Sequence, residues 1–188
     1  FFISLESVRA SALGAYNPQV PPELTPFLSD AVRRGEATVI DGLNTATSNT
    51  MKSLYGSMCG VPAFPGVSWH EYNRKSPFLK HCLPRLLSDL GWRTHFFTAS
   101  SVGFQPLLGF QSSMGGAKAA RKAKIAGLEQ PYGQSNFLGY DERVLLHPMR
   151  AWLSDLEKTA PRAPAFGYIG TVSTHAPYTV FNQSRLQA

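Results

Sequence analysis

The chain has 188 residues, enough for one real hydrophobic core, either as a single domain or as a piece of a larger one. Its 43% hydrophobic and 16% charged content is that of a globular domain and excludes a disordered tail, while no apolar stretch approaches the roughly 20 residues that span a bilayer. A formal net charge of +6 favours anionic partners: phosphate esters, anionic lipids or nucleic acid.

In chain order, Phe1 to Leu5 is a short apolar run rich in β formers and predicts a buried strand that ends at Glu6-Ser7. It is too short for a signal peptide, and no basic region precedes it. Thr25-Pro26 has the form of an N-cap followed by Pro at the first helical position, where a missing N–H costs nothing. Leu24, Phe27, Leu28, Ala31 and Val32 then recur at helical spacing until Gly35 stops the run. Thr38 to Ile40 predicts a second strand, which leads into TATSNTMKSLYGSMCGVP (45–62). That stretch sets a Ser/Thr cluster directly before a helix over 50–59. Either Asn49 or Thr50 caps the helix, or Thr50 is a nucleophile held over an anion-binding helix end.

Ser76-Pro77 predicts a further helix with Phe78, Leu79, Cys82, Leu83, Leu86, Leu87 and Leu90 on its apolar face, kinked at Pro84 or beginning near it, and stopped by Gly91. THFFTA (94–99) reads as a buried strand. Residues 101–140 are rich in Gly, Ser and Gln and predict mostly loop, with a short helix around 117–125. The basic run GGAKAARKAKIAG (115–127) lacks the interleaved aromatics of a single-strand nucleic-acid site and reads as a solvated loop or helix face, so no nucleic-acid partner is expected. A helix over 142–158 follows, with Val144, Leu145, Met149, Trp152, Leu153 and Leu156 towards the core and a disturbance at Pro148. AFGYIGTV (165–172) is then a strand that ends in STHAPY (173–178). Cys59 and Cys82 are too few for a disulfide framework. Strands alternating with amphipathic helices predict an α/β fold, a mostly parallel sheet covered by helices on both faces.

Three polar groups fall directly after predicted strands: Glu6, the cluster 45–53, and His175. Ligands of open parallel sheets gather at the carboxyl ends of the strands. Taken singly, Glu6 reads as a strand-end carboxylate and His175 as an ordinary hydrogen-bonded histidine. Taken together, a carboxylate, a hydroxyl and an imidazole suit metal-assisted group transfer. Glu6 would ligate a divalent cation, Thr50 would be deprotonated with its help, and His175 would hold or protonate substrate oxygens.

In this order, FFISLESVRASALGAYNP (1–18), TPFLSDAVRRG (25–35), NTMKSLYGSMCGVP (49–62), LPRLLSDLGWRTHFFTAS (83–100) and FGYIGTVSTHAPY (166–178) resemble the alkaline-phosphatase superfamily. The likeness is to its sulfatase-like branch of lipoteichoic acid synthases and phosphoethanolamine transferases. By that resemblance Glu6 is a metal ligand after the first strand. Thr50 is the nucleophile and a second metal ligand, with Ser53 three residues on and Gly60 ten residues on, and Thr47 is the competing register. His175 is similar to the substrate-side histidine of the transferases. Sulfatases proper use a Cys or Ser, converted to formylglycine, followed by Pro and Arg. Here those positions are Thr50, Lys52 and Leu54, which points to phosphoryl chemistry rather than sulfate-ester hydrolysis.

The resemblance implies a metal-dependent phosphotransferase or hydrolase that uses Mn²⁺, Mg²⁺ or Zn²⁺ on a phosphate-ester substrate, lipid-linked or of glycerophosphate type. It also implies an extracytoplasmic or membrane-associated setting through segments absent here. The family completes its metal site with an Asp-His pair on a later strand and a further His, and this sequence contains no Asp-His dipeptide. Residues 1–188 are therefore expected to be the N-terminal part of a catalytic domain, an incomplete fold. The alternatives are a catalytically degenerate structural or interaction subunit and a sulfuric ester hydrolase.

Overall fold

The structure is a computed structural model that describes residues 1–45, 47–62, 77–100, 133–136, 139–176 and 178. The elements in chain order are β1 (Phe2–Ser4), α1 (Pro26–Arg33), α2 (Thr50–Cys59), α3 (Leu83–Asp89), β2 (Arg93–Thr98), β3 (Gln134–Asn136), β4 (Gly139–Tyr140), α4 (Leu146–Thr159) and β5 (Ala165–Gly170). Short 3-10 turns at Ala10–Ala12, Pro22–Leu24, Pro77–His81 and Glu142–Leu145 lie between them. Two compact units are present, one of Phe1–Glu6 with Ala46–Ala188 and one of Ser7–Thr45.

The larger unit is built on a parallel sheet in the order β1-β5-β2, with Phe2 opposite Tyr168 and Ser4 opposite Gly170 on one side of β5. On its other side Phe96 pairs with Tyr168 and Phe97 with Ile169. Successive side chains of a strand point to opposite faces, and the two cores follow that alternation. Phe96 and Tyr168 pack with Met51, Leu54, Tyr55 and Met58 of α2 and with Leu79 and Cys82. Phe97 packs with Ala99, Val144, Leu145 and Val172, against which Met149, Trp152 and Ile169 also lie. Helices thus flank both faces of the open parallel sheet, which is why THFFTA reads as a continuous apolar run rather than an alternating one.

Helix α2 is buried along almost its whole circumference. It ends at Gly60, whose φ of 66° is the left-handed conformation that closes helices at least cost when no Cβ is present. Cys59, its last residue, is bonded to Cys82 at the N-cap of α3. The bridge closes a loop with a sequence separation of 23 residues. In the chain-entropy account such a closure restricts the unfolded state by about 3 kcal/mol.

Several expectations need correction. Thr38 to Ile40 forms no strand: the three residues have no pairing partner among the described residues, and Ile40 is exposed. β1 is not buried: among the described residues it lies at the edge of the β1-β5-β2 sheet, with Phe1, Phe2, Ile3 and Leu5 exposed. Thr25 stands at the N-cap of α1 with Pro26 next, but its side chain makes no capping bond, and Phe27 and Leu24 of the expected apolar face are exposed. The helix at 83 begins at Leu83 with Pro84 in its first turn, where Pro is tolerated, and Leu83, Leu86 and Leu90 are exposed. Pro148 likewise falls in the first turn of α4, so it does not interrupt the helix, and Leu153 is exposed. Within 101–140 the described part contains an antiparallel pair, β3 with β4, that the loop expectation missed. At its start a Cβ on Gly139 would stand 2.3 Å from the Ala99 carbonyl oxygen, so the backbones meet at a distance that only glycine allows. The expected helix at 117–125, the basic run 115–127 and Ser76 lie outside the described residues.

Candidate functional site

β1 and β5 run parallel, so their carboxyl ends open on one rim, with Ser4 and Gly170 the last paired residues. Beyond them the two chains remain tied. The Thr171 N–H donates to the Ser4 carbonyl at 3.1 Å, and the Glu6 N–H donates to Thr171 Oγ1 at 2.9 Å. The Thr174 hydroxyl donates to the Glu6 carbonyl. Both backbone polar groups of Glu6 are therefore held by the segment that follows β5. Ser7, next in the chain, has a φ of 56°, a left-handed conformation uncommon outside glycine, so the chain turns sharply after the carboxylate.

α2 starts at the same rim. Its cap is Asn49, whose Oδ1 accepts the Lys52 N–H at 3.2 Å. With the cap supplied by Asn49, the hydroxyl of Thr50 is left for a different partner, and it donates to Glu6 Oε2 at 3.0 Å across 44 positions of sequence. Thr47 is used locally: its Oγ1 accepts the Asn49 N–H at 2.9 Å, and its carbonyl accepts the Ser53 hydroxyl at 2.7 Å. Between the alternatives for the Ser/Thr cluster, Asn49 caps, Thr47 and Ser53 shape the approach to the helix, and Thr50 faces the carboxylate. The positive end of the helix dipole and the first-turn N–H groups lie beside that hydroxyl. Lys52, also in the first turn, is buried, at 7% exposed.

His175 stands one residue beyond Thr174, and its backbone N–H donates to the Val172 carbonyl at 3.1 Å. Its Nδ1 lies 2.9 Å from the Ala176 carbonyl, which can only accept, so Nδ1 carries the proton in this contact. Below the rim, burial holds the Tyr168 phenol above its ordinary range; a hydrogen bond with Ser4 opposes that shift, and the charge of Glu6 adds to it.

Glu142 is the residue that sequence reading missed. From the 3-10 turn before α4 its Oε1 accepts the N–H groups of Val172 at 2.5 Å and Ser173 at 2.7 Å, and its Oε2 accepts the Ser173 hydroxyl. Asp141 caps the same turn by accepting the Arg143 N–H at 2.9 Å. The hydrogen bond from the Arg143 side chain keeps Asp141 below the usual carboxylate range, against the opposing effect of burial. Local spacing marks 141–142 only as a helix start. Thr171 and Thr174 were also missed, although hydroxyls directly after a strand at a suspected rim are a usable signal.

Glu6 and Thr50 offer hard oxygen donors, which suit a divalent cation better than a soft-ligand metal. Among the described residues no group of three or more His, Cys, Asp or Glu side chains comes together, so these two fit a share of a coordination sphere. Also among the described residues, no helix is long and apolar enough to cross a membrane.

An open parallel sheet with a carboxylate and a hydroxyl at its carboxyl rim, beside a helix N-terminus, is an arrangement in which α/β proteins gather ligands. The chain belongs to the Sulfatase family, which it matches over residues 1–185. In fold it is similar to a protein in the alkaline phosphatase superfamily from Vibrio parahaemolyticus, with a TM-score of 0.71 at 16% identity. That likeness covers 96% of this chain and 41% of the other, so the chain spans under half the length of that neighbour. A search of the curated proteins finds no match. The chain is thus of a sulfatase-like family.

Proposed function

We propose that the protein transfers the phosphoryl group of a phosphate ester, lipid-linked or of glycerophosphate type, to an alcohol or water through Thr50. The observation that carries this reading is the Thr50 hydroxyl donating to Glu6 Oε2 at 3.0 Å, at the N-terminus of a buried helix whose cap is a different residue. As Oγ1 of Thr50 bonds to phosphorus, the ester P–O bond breaks. The hydroxyl proton leaves along the hydrogen bond to Glu6, and the departing oxygen takes a proton for which His175 is the proposed donor. Water or an alcohol then displaces Thr50 from phosphorus and restores the hydroxyl. The first-turn N–H groups and Lys52 offset negative charge on the phosphoryl oxygens. Glu6 and Thr50 would hold part of the divalent cation, whose chemistry when bound is to lower the pKa of a ligated hydroxyl. Threonine at position 50 has no route to the formylglycine formed from Cys or Ser, which favours phosphate over sulfate esters.

The test uses the complete gene product supplied with Mn²⁺ and a chromogenic phosphate diester. Thr50→Ala should lower kcat by about a thousandfold or more with folding intact, because loss of a nucleophile leaves only binding and electrostatics. Quenched wild-type enzyme should carry a phosphate on Thr50 by mass spectrometry. Undiminished turnover in Thr50→Ala would exclude this reading. If the wild-type gene product binds no metal and turns over no ester, the degenerate-subunit reading replaces it.

A further inference from the structure

We propose that Glu142 is a positioning residue that sets Glu6 against Thr50 through the segment 171–175. The inference rests on the reading of Thr50 as nucleophile. When β5 ends at Gly170, the chain still has backbone N–H groups to satisfy. Two of these N–H groups, at Val172 and Ser173, together with the Ser173 hydroxyl, converge on the one carboxylate of Glu142, about 30 positions earlier in the chain. Three hydrogen bonds on one side chain restrict a short loop, because all of them would have to break for the segment to move.

The carboxylate is itself firmly based. Val144 and Leu145, on the same 3-10 turn, are fully buried in the core that also contains Val172. The turn is capped by Asp141, which Arg143 grips through Nε at 2.9 Å and Nη2 at 2.7 Å. At its other end the restrained segment holds Glu6 by both backbone groups, through Thr171 and Thr174. A continuous set of bonds therefore runs from Glu142 through 171–174 to the Glu6 backbone and, by the Glu6 side chain, to Thr50. Glu142 acts at a distance, by fixing where the Glu6 carboxylate stands. His175 follows directly on the same segment, so its placement depends on the same anchor.

The experiment compares Glu142→Ala, Glu142→Gln, Ser173→Ala and Thr50→Ala in the complete gene product with Mn²⁺ and the chromogenic diester bis(4-nitrophenyl) phosphate. Misplacing reacting groups by about 1 Å costs on the order of a hundredfold, so Glu142→Ala should lower kcat ten- to a hundredfold with KM within about twofold. Glu142→Gln keeps an acceptor for both N–H groups and offers its amide N–H to the Ser173 hydroxyl, so kcat should recover to within about threefold of wild type. Amide exchange should quicken at 172–173 and at Glu6 in Glu142→Ala, with α2 unaffected.

Unchanged kcat, or unchanged exchange at Glu6, in a folded Glu142→Ala overturns the proposal. Equal inactivity of folded Glu142→Ala and Glu142→Gln also overturns it, because the charge itself would then be needed. Should Glu142→Ala fail to fold, Ser173→Ala decides: slower turnover with faster exchange at Glu6 supports the inference, and wild-type behaviour in both overturns it. Full activity in Thr50→Ala would sink the proposed function, whereas an inactive Thr50→Ala beside a fully active Glu142→Ala would sink only this inference.

Discussion

Helices α1 and α2 begin alike in sequence and differ in everything that follows. Each opens with a polar residue before a short amphipathic run, Thr25-Pro26 in one and Asn49-Thr50 in the other. The Thr25 hydroxyl stays local, 3.3 Å from Ser29 Oγ and accepting the Gly14 N–H at 3.4 Å, within the small unit Ser7–Thr45. The Thr50 hydroxyl reaches 44 residues back to a carboxylate at a strand end. α1 keeps one buried residue, Ala31, whereas α2 buries six, among them a lysine. A hydroxyl at a helix start is therefore not a site by itself. What separates the two is a long-range charged partner and a helix whose own burial fixes where its first turn points.

The widest gap between the two should appear in turnover. Thr50→Ala should cost about a thousandfold or more in kcat, while Thr25→Ala should leave kcat unchanged; a comparable loss in both would erase the distinction. Next in size is packing. Met58→Ala, in the core between α2 and the sheet, should lower unfolding free energy by about 2 to 5 kcal/mol, and Phe27→Ala on exposed α1 by no more than about 0.5, both by denaturant titration. Smaller again, Asn49→Ala should cost about 1 kcal/mol through loss of the cap.

The smallest effects are in pH dependence, and the two regions respond at opposite ends. The raised Tyr168 contributes stability that is fully present below the ordinary tyrosine range and is lost as pH rises through its folded value, since the unfolded chain ionises first. Tyr168→Phe should flatten that alkaline decline. The Arg33 hydrogen bond lowers Asp30 on α1, so its contribution is present above the ordinary carboxylate range and is lost as pH falls through the folded value. Solvent screening keeps that effect small, and added salt should reduce it further. Equal alkaline slopes for wild type and Tyr168→Phe would show that the buried phenol is not what the sheet protects.

Much of the fold was legible because burial repeats with the period of the element. AFGYIGTV and THFFTA became β5 and β2, and the bounds of α2 agree with those expected from 50–59. Periodicity failed where an apolar pattern is not buried: Thr38 to Ile40 formed no strand, and Leu83, Leu86 and Leu90 remain exposed. The antiparallel pair β3 and β4 was invisible for another reason. Its strands are three and two residues long, too short to show a period, and they are defined by their pairing and by the close approach at Gly139. Among polar residues, Glu6, Thr50 and His175 were noticed because each follows a predicted strand, although the one predicted before Thr50 does not form. Glu142 was not, because its carboxylate works on a loop that the sequence places 30 residues away.

The sequence alone determined the kind of layers and the alternation that makes the sheet parallel, because hydrophobic period and turn chemistry are local properties, and its ordered segments carried the family resemblance. Tertiary structure decided which of several hydroxyls meets Glu6, which residue caps α2, that Cys59 and Cys82 are joined, and that Glu142 anchors the segment after β5. Those depend on groups far apart in the chain meeting at one rim. A hydrogen bond is directional and only a few ångströms long, so no spacing along the sequence specifies it until the sheet has set the distances.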